Sequence, residues 1–195
     1  MINIFPTQIG TYKLTLDEEL INLVMNDYQT SSIGVLNGSK SSYGITGTKF
    51  LNDERLKFLL DEIYSKLNHY TNELSLVPVD VSGSWFNQMD DGGNVKLHRH
   101  EGSVISGALY FNLSDNPSPI RFKSPLIPYK MMELYTSNSD YYQTIDVYEG
   151  LLILFPSWLE HETLPQFGNR CVISFNTLHN CLLYTSPSPR DLRES

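Results

Sequence analysis

Three of the five histidines in this sequence stand in positions that suit metal binding. His98 and His100 form a His-x-His pair at the end of a predicted strand, where alternate side chains point to the same side. His161 comes much later, beyond an apolar segment that ends at Pro156, and Arg170 opens the next apolar segment. Neutral imidazole is a common ligand of iron, zinc, copper and nickel. The first pair alone would indicate ordinary hydrogen-bonded histidines, whereas the whole set favours a shared metal site.

The elements that would position these side chains begin near residue 77. From there, short segments rich in Val, Ile, Tyr and Phe alternate with clusters of Gly, Pro, Asn, Asp and Ser. This pattern is typical of an all-β sandwich or jelly roll. The predicted strands are Val79–Gln88, Val95–His98, Ser103–Leu113, Pro119–Phe122, Gln143–Val147, Leu151–Phe155, Glu162–Leu164 and Arg170–Asn176.

The region before residue 77 has the pattern of helices. A capping box from Thr15 to Glu18 precedes apolar positions and predicts a helix near residues 16–28. After Asn52, apolar residues recur at spacings of three and four, which predicts an amphipathic helix to about residue 72. The stretch from Ser31 to Gly47 is rich in Ser and Gly, so we expect a loop there.

Composition and charge exclude several classes of function. The chain has 195 residues, of which 41% are hydrophobic and 18% charged, and this is typical of one soluble globular domain. The net charge of -8 argues against passive electrostatic binding to nucleic acid or to an anionic membrane. No apolar run approaches the ~20 residues that span a bilayer, and no secretory signal is visible. With only Cys171 and Cys181, we expect no disulfide framework and a cytoplasmic location.

The chain is therefore predicted to divide into three regions. Residues 1–76 form a helical support region, residues 77–180 form the β core, and residues 181–195 form a tail. The tail has no periodicity and contains two Ser-Pro steps, which is typical of a disordered segment, and it also resembles translated sequencing-adapter read-through. Both interpretations end the folded domain near Asn180 and leave Cys181 without a role.

Five motifs follow one another over roughly residues 80–177. They are Trp85-Phe-Asn87, His98-x-His100, Ser106-Gly-Ala-Leu-Tyr-Phe-Asn112, Gly150-Leu-Leu-Ile-Leu-Phe-Pro-Ser-Trp-Leu-x-His161 and Arg170-x-x-x-Ser-Phe-Asn176. Together they resemble a family of 2-oxoglutarate- and Fe(II)-dependent oxygenases of bacteria and phages, and more broadly the prolyl-hydroxylase-like branch of that superfamily. The resemblance implies a mainly β fold with N-terminal helices, a double-stranded β-helix of the jelly-roll, cupin-like kind. It also implies an enzyme that uses Fe(II), dioxygen and the cosubstrate 2-oxoglutarate to hydroxylate a substrate, with release of succinate and CO2.

The resemblance also implies a role for individual residues. His98 would be the first iron ligand and His161 the distal one, while His100 stands where most of the superfamily has Asp or Glu. Arg170 would bind the distal carboxylate of 2-oxoglutarate, because a planar guanidinium suits a carboxylate. Further hydrogen bonds to the cosubstrate could come from Tyr110, Asn87 and Ser174.

His100 is the clearest departure from the superfamily pattern. Two histidines and one carboxylate give the usual iron site one anionic ligand, whereas three neutral imidazoles leave the site one charge more positive. Zinc would also accept three histidines and a water molecule. Glu101 could supply a carboxylate instead, but neighbouring strand residues face opposite sides, so His100 is the preferred third ligand.

Three functions therefore compete. The first is an Fe(II)- and 2-oxoglutarate-dependent hydroxylase. The second is a three-histidine metal dioxygenase or hydrolase that does not use 2-oxoglutarate, and the third is a non-catalytic jelly-roll protein that binds a partner or has a structural role. The sequence does not name a substrate, which could be a small molecule or a macromolecule, and it leaves a homodimer open.

Overall fold

The structure is a computed structural model that describes residues 6–28, 30–32, 36–126 and 141–180. Its helices are α1 (Glu18–Asp27), α2 (Tyr43–Thr46) and α3 (Lys57–Glu73), and two short 3-10 turns, Phe50–Asn52 and Glu54–Leu56, precede α3. Its strands are β1 (Gly10–Lys13), β2 (Ser31–Ser32), β3 (Leu36–Ser41), β4 (Val79–Val95), β5 (Ile105–Phe111), β6 (Ile120–Lys123), β7 (Tyr142–Ile145), β8 (Leu151–Pro156), β9 (His161–Thr163) and β10 (Arg170–His179).

The described strands form two antiparallel sheets. The large sheet has the order β1-β8-β5-β10-β4-β3-β2, and the small sheet has the order β7-β6-β9. Side chains from both sheets share one buried cluster, in which Tyr110 and Val172 of the large sheet pack with Ile120 and Phe122 of the small sheet. Two antiparallel sheets that pack in this way are the double-stranded β-helix that the sequence predicts.

The other face of the large sheet is covered by helices. Ile63 and Leu67 of α3 and Val24 of α1 lie in the same buried cluster as Leu109 and Ile173 of the sheet. Each such side chain contributes about 1.5–3 kcal/mol when it leaves water. The central strands are therefore buried on both faces, which explains why their sequences are apolar runs and do not alternate with polar residues.

The two main helices form where the sequence predicts them, with different first turns. The residue that caps α1 is Asp17, whose carboxylate accepts a hydrogen bond of 2.7 Å from the backbone N–H of Leu20. The capping box at Thr15 is therefore wrong in detail. The helix predicted after Asn52 is α3, and it begins only at Lys57 because Glu54–Leu56 form a 3-10 turn.

The prediction of a loop from Ser31 to Gly47 is wrong. This stretch contains β2, β3 and α2, and β3 pairs with β4. Two fully buried serines anchor it: the hydroxyl of Ser41 donates to the carbonyl of Phe86, and the hydroxyl of Ser42 accepts from the N–H of Phe86. The polar composition concealed this strand because the hydroxyls of its buried serines, Ser39 and Ser41, bond to backbone carbonyls and not to solvent.

The region before residue 77 is more than a helical support. β1, β2 and β3 extend the large sheet at both edges, and β1 pairs with β8 through Gly10 opposite Leu154. The division after residue 76 stays a prediction, and the tail 181–195 with Cys181 lies outside the described residues. Within the described residues, no helix combines the length and the hydropathy needed to cross a bilayer.

Candidate active site

The backbones of His98 and His161 are joined directly by hydrogen bonds. His98 follows β4 and His161 begins β9; the N–H of His98 donates to the carbonyl of His161 at 3.0 Å, and the reverse bond is 2.9 Å. The prediction of a strand over Val95–His98 is wrong, because β4 ends at Val95. Beyond it, His98 forms an isolated bridge with His161 of the small sheet. This exchange of bonds brings the two rings to a centroid distance of 4.3 Å.

The third histidine is fixed by the loop that precedes β9. The N–H of His100 donates to the carbonyl of Ser157 at 2.9 Å, so alternate residues of this segment bond to residues 157–161. The side chains of His98 and His100 therefore share one side, as the sequence predicts, although the two residues do not lie in a regular strand. One nitrogen from each of His98, His100 and His161 lies within 4.8 Å of the others.

Hydrogen bonds orient two of the three imidazoles. Nδ1 of His98 lies 2.8 Å from the carbonyl of Lys96, and Nδ1 of His161 lies 3.0 Å from the carbonyl of Leu159. Because a carbonyl can only accept, each Nδ1 carries the proton and each Nε2 keeps its lone pair. A metal needs that lone pair, so both rings are prepared to act as ligands.

Burial keeps the three rings neutral. Burial, assisted by the nearby His98, lowers the pKa of His161 to about 3 and the pKa of His100 to about 4. The pKa of His98 is also lowered, mainly by burial. At neutral pH these histidines need not lose a proton before they bind a cation.

Arg170 is a fully buried guanidinium at the start of β10. Its Nη1 donates to the carbonyl of Ser118 at 2.6 Å, its Nη2 lies 2.8 Å from Sδ of Met89, and its Nε has no partner. No ion pair within the described residues includes it. Since a buried charge without a counter-charge is strongly unfavourable, this group suits an anion that a ligand brings.

A cavity of about 380 Å³ joins the histidines to the surroundings of Arg170. Arg170 itself does not line it, but Met89, which contacts the guanidinium, does. Burial raises the pKa of Tyr110, a further residue of the cavity lining, to about 12, although the positive charge of Arg170 acts in the opposite direction. The cavity is lined by Tyr43, Thr48, Trp85, Asn87, Met89, Val95, His98, His100, Glu101, Gly107, Ala108, Tyr110, Ile120, Phe155, His161, Glu162, Thr163, Val172, Ser174 and Asn176.

Strand register arranges the inner face of the large sheet in rows. Val172 of β10 lies between Asn87 and Tyr110, and the next inward residue, Ser174, lies beside Trp85. Arg170 precedes Val172 by two residues and so faces the same side. The rows therefore run from the guanidinium of Arg170 at one end towards the ring of Trp85 at the other.

The three residues predicted to assist cosubstrate binding all line this cavity. Nδ2 of Asn87 donates to Oγ of Ser174 at 3.2 Å, while Oδ1 of Asn87 is buried without a partner. Tyr110 is almost completely buried. Their positions agree with the prediction, and their roles stay predictions.

Glu101 lies apart from the histidine cluster. Its carboxylate accepts from Nη2 of Arg99 at 2.7 Å, and its side chain is 76% exposed. A carboxylate that is solvated and paired in this way does not belong to the cluster, whose members are the three histidines. The geometry therefore favours His100 over Glu101 as the third ligand.

Sequence reasoning missed the residues that hold Arg170. Ser118, which accepts from the guanidinium, also donates its N–H to Oε1 of Gln166 at 2.9 Å and its hydroxyl to the carbonyl of Pro165 at 2.6 Å. Gln166 is fully buried. Nothing local in the sequence marks either residue, since both are ordinary polar residues in loops.

Comparison with known proteins gives one matching family. Residues 83–176 match the model of a family described as "Putative 2OG-Fe(II) oxygenase". The matched segment contains His98, His100, His161 and Arg170. No curated protein matches the sequence.

Solved structures with a similar fold include metal- and 2-oxoglutarate-bound proteins. HygX from Streptomyces hygroscopicus, with nickel and 2-oxoglutarate bound, has a TM-score of 0.62 and 11% identity, covering 90% of this chain and 84% of its own. A prolyl-4-hydroxylase from Pseudomonas putida has a TM-score of 0.56 and 14% identity, covering 89% and 93%. A Trichoplax adhaerens prolyl hydroxylase in complex with a hypoxia-inducible-factor peptide has a TM-score of 0.60 and 17% identity, covering 86% and 82%. At these identities the likeness shows the fold alone.

Proposed function

We propose that this chain, whose residues 83–176 match the model of the 2OG-Fe(II) oxygenase family, hydroxylates a C–H bond of its substrate. The reaction consumes one dioxygen and one 2-oxoglutarate. One oxygen atom enters the substrate as a hydroxyl group, the other enters succinate, and CO2 is released. Fe(II) supplies the site at which dioxygen is activated.

The observation that carries this proposal is the presence of two complementary groups around one cavity. Three neutral imidazoles converge within 4.8 Å, and a buried guanidinium without a counter-charge lies beyond the cavity wall. The imidazoles suit a divalent cation, and the guanidinium suits the far carboxylate of a dicarboxylic acid. A 2-oxoglutarate molecule satisfies both at once, because its keto-acid end can chelate the cation.

Each residue of the candidate site would then have a distinct role. His98, His100 and His161 would hold Fe(II), and Arg170 would orient 2-oxoglutarate by its distal carboxylate. Hydrogen bonds to the cosubstrate would come from Tyr110, Asn87 and Ser174. The apolar cavity walls, such as Phe155 and Ile120, would limit the entry of water during the reaction.

The test is binding and turnover of 2-oxoglutarate by the purified chain. Anaerobic addition of 2-oxoglutarate to the Fe(II)-loaded protein should produce a visible charge-transfer absorption, and admission of air should yield succinate. His161→Ala should lose metal binding, and Arg170→Met should keep the metal but lose the 2-oxoglutarate response. Phe58→Ala, at an exposed helix position, should behave as wild type. A metal-loaded protein that ignores 2-oxoglutarate would contradict the proposal.

The three-histidine dioxygenase or hydrolase is the second candidate, and His100 is the observation that favours it. Under that function, Arg170 has no dicarboxylate to bind, so the metal-loaded Arg170→Met protein should keep the activity of wild type. A non-catalytic role predicts instead that the protein binds no divalent metal after reconstitution.

Substrate, partners and location complete the proposal. The substrate is a small molecule or an exposed group of a macromolecule, and the protein acts in the cytoplasm of a bacterium or of a phage-infected cell. The buried free thiol of Cys171 and the net charge of -8 support a reducing compartment and a substrate other than nucleic acid. Sedimentation of the purified protein would show whether it forms the homodimer that the sequence leaves open.

A further inference from the structure

His100 differs from the other two histidines in what holds its ring. Nδ1 of His98 and Nδ1 of His161 each face a backbone carbonyl, whereas Nδ1 of His100 lies 3.4 Å from Nδ2 of the Asn176 side-chain amide. With Nδ1 in contact with this amide, Nε2 is the ring nitrogen left for a metal. A carbonyl dictates which nitrogen carries the proton, but an amide can either donate or accept.

Asn176 is partly buried and belongs to a hydrogen-bond network with two serines. Its Oδ1 lies 2.8 Å from Oγ of Ser106, which lies 2.8 Å from Oγ of Ser157. Both serines are buried. Ser157 also accepts the backbone N–H of His100 through its carbonyl, so one network holds both the main chain and the ring of His100.

The amide of Asn176 has two orientations with opposite consequences. In the structure Nδ2 faces the ring; in that orientation Nδ1 of His100 must accept, the ring proton lies on Nε2, and no metal can bind there until the amide turns over. When Oδ1 faces the ring, Nδ1–H donates and Nε2 keeps its lone pair. Both serine hydroxyls can donate or accept, so the network satisfies either orientation.

We propose that Asn176 is a positioning residue that selects the tautomer of His100 and thereby sets how strongly the third imidazole holds the metal. A carboxylate at position 100 would have no tautomer to select. The network therefore compensates for the histidine that stands in the place of the usual acidic ligand. The inference rests on the metal site of the proposed function, but not on 2-oxoglutarate.

Metal affinity tests this inference directly. Isothermal titration of the metal-free protein with Co(II) should give Asn176→Leu an affinity about 10- to 100-fold below that of wild type. Asn176→Asp, which can only accept from Nδ1–H, should bind Co(II) at least as tightly as wild type. Asn72→Leu makes the same change at an exposed position of α3 and should have no effect.

A double mutant separates positioning from a general loss of structure. Once His100→Ala has removed the ring, adding Asn176→Leu should cause no further loss of Co(II) affinity. In the Zn(II)-loaded protein, ¹⁵N-imidazole spectra should show Nδ1 of His100 protonated in wild type and in Asn176→Asp.

Three results would overturn the inference: a Co(II) affinity of Asn176→Leu within twofold of wild type, additive losses in the double mutant, or a wild-type protein that binds no metal. The last result would also overturn the proposed function. A wild-type protein that binds Co(II) but does not respond to 2-oxoglutarate would contradict the proposed function alone.

Discussion

At the scale of single residues, Arg170 illustrates the tension between stability and function. Its side chain is fully buried, and its Nε has no partner within the described residues. Burial lowers its pKa, which shows that the folded environment disfavours the charge. A charge that weakens the fold and is nevertheless present indicates a ligand whose own charge compensates it.

Arg170→Met should therefore separate the two effects. We expect the thermal unfolding midpoint of the ligand-free protein to stay equal or rise, because an unpaired buried charge is replaced by an apolar chain. The affinity for 2-oxoglutarate should fall roughly 10- to 100-fold, as expected when charged hydrogen bonds are lost. Thermal unfolding with and without 2-oxoglutarate measures both.

Arg55→Met provides a comparison, since Arg55 is an exposed side chain paired with Asp27 and Asp53. It should keep the full response to 2-oxoglutarate. A large loss of ligand-free stability in Arg170→Met would contradict the argument.

Cys171 is a residue for which burial predicts inertness. Its thiol is buried beside Sδ of Met25 at 3.6 Å, and burial raises its pKa to about 12. Because the folded state holds the proton more tightly than the unfolded state, the thiol's contribution to stability is present below about pH 9 and is lost as the pH rises towards 12.

Alkylation of the native protein at pH 8 should accordingly leave Cys171 unmodified, whereas denatured protein should react fully. Peptide mass analysis reports the modification at this cysteine separately. Rapid labelling of Cys171 in the native state would show that this part of β10 opens readily.

At the scale of elements, the loops behind Arg170 determine how firmly the guanidinium is held. Gln166, in the loop before β10, joins the loop between β5 and β6 to β4: its side chain bonds to Ser118 and to Ser114, and its backbone exchanges hydrogen bonds of 2.7 Å with Gly92 and Gly93. A Cβ on Gly93 would lie 2.6 Å from Oγ of Ser39, so β3 and β4 can approach this closely only with glycine there.

Gln166→Ala should lower the affinity for 2-oxoglutarate about 5- to 30-fold, because Ser118 loses the bond that orients its carbonyl towards Arg170. Co(II) affinity should stay unchanged, since the histidines lie elsewhere. Titrations with each ligand measure the two affinities. Thr71→Ala removes a buried hydroxyl from α3, far from the site, and should change neither.

Ser42, directly after β3, anchors that strand to β4. Phe86 lies in the middle of β4, and its N–H donates to the hydroxyl of Ser42 at 3.0 Å. Ser42→Ala leaves that buried N–H without a partner and should lower the free energy of unfolding by about 1–3 kcal/mol. Chemical denaturation measures the change. Ser82→Ala, whose hydroxyl bond is exposed, should change it by less than about 0.5 kcal/mol.

At the scale of the whole molecule, the candidate site spans both sheets. His161 belongs to β9 of the small sheet, Arg170 belongs to β10 of the large sheet, and His98 lies between β4 and β5 of the large sheet and bridges to His161. A ligand that binds all three can bind only when the two sheets are packed, so binding and folding are coupled.

Divalent metal should therefore stabilise the entire domain. At a free Mn(II) concentration 100 times the dissociation constant, the free energy of unfolding should rise by about 2.7 kcal/mol, and a chelator should reverse the gain. His161→Ala should abolish the metal effect. Unfolding in denaturant at fixed metal concentration measures it, and a metal-independent midpoint in wild type would contradict the coupling.

The sequence alone determined the features that depend on local order. Apolar runs and turn residues predicted most strands of the β core, and the motifs identified His98, His161 and Arg170 in the correct order. These patterns are local because a strand alternates its side chains wherever it lies. The histidines were expected to meet, and they do, while their roles stay predictions.

Only the tertiary structure decided which distant groups meet. The anchoring of β3, the exclusion of Glu101 from the histidine cluster and the contacts of Ser118 with Arg170 depend on strand register and on loops that approach from far along the chain. The contact of Asn176 with His100 is of the same kind. The sequence around a polar residue does not show whether the residue faces water or a buried partner. The packing of the sheets determines the partner, and the neighbouring residues in the chain do not.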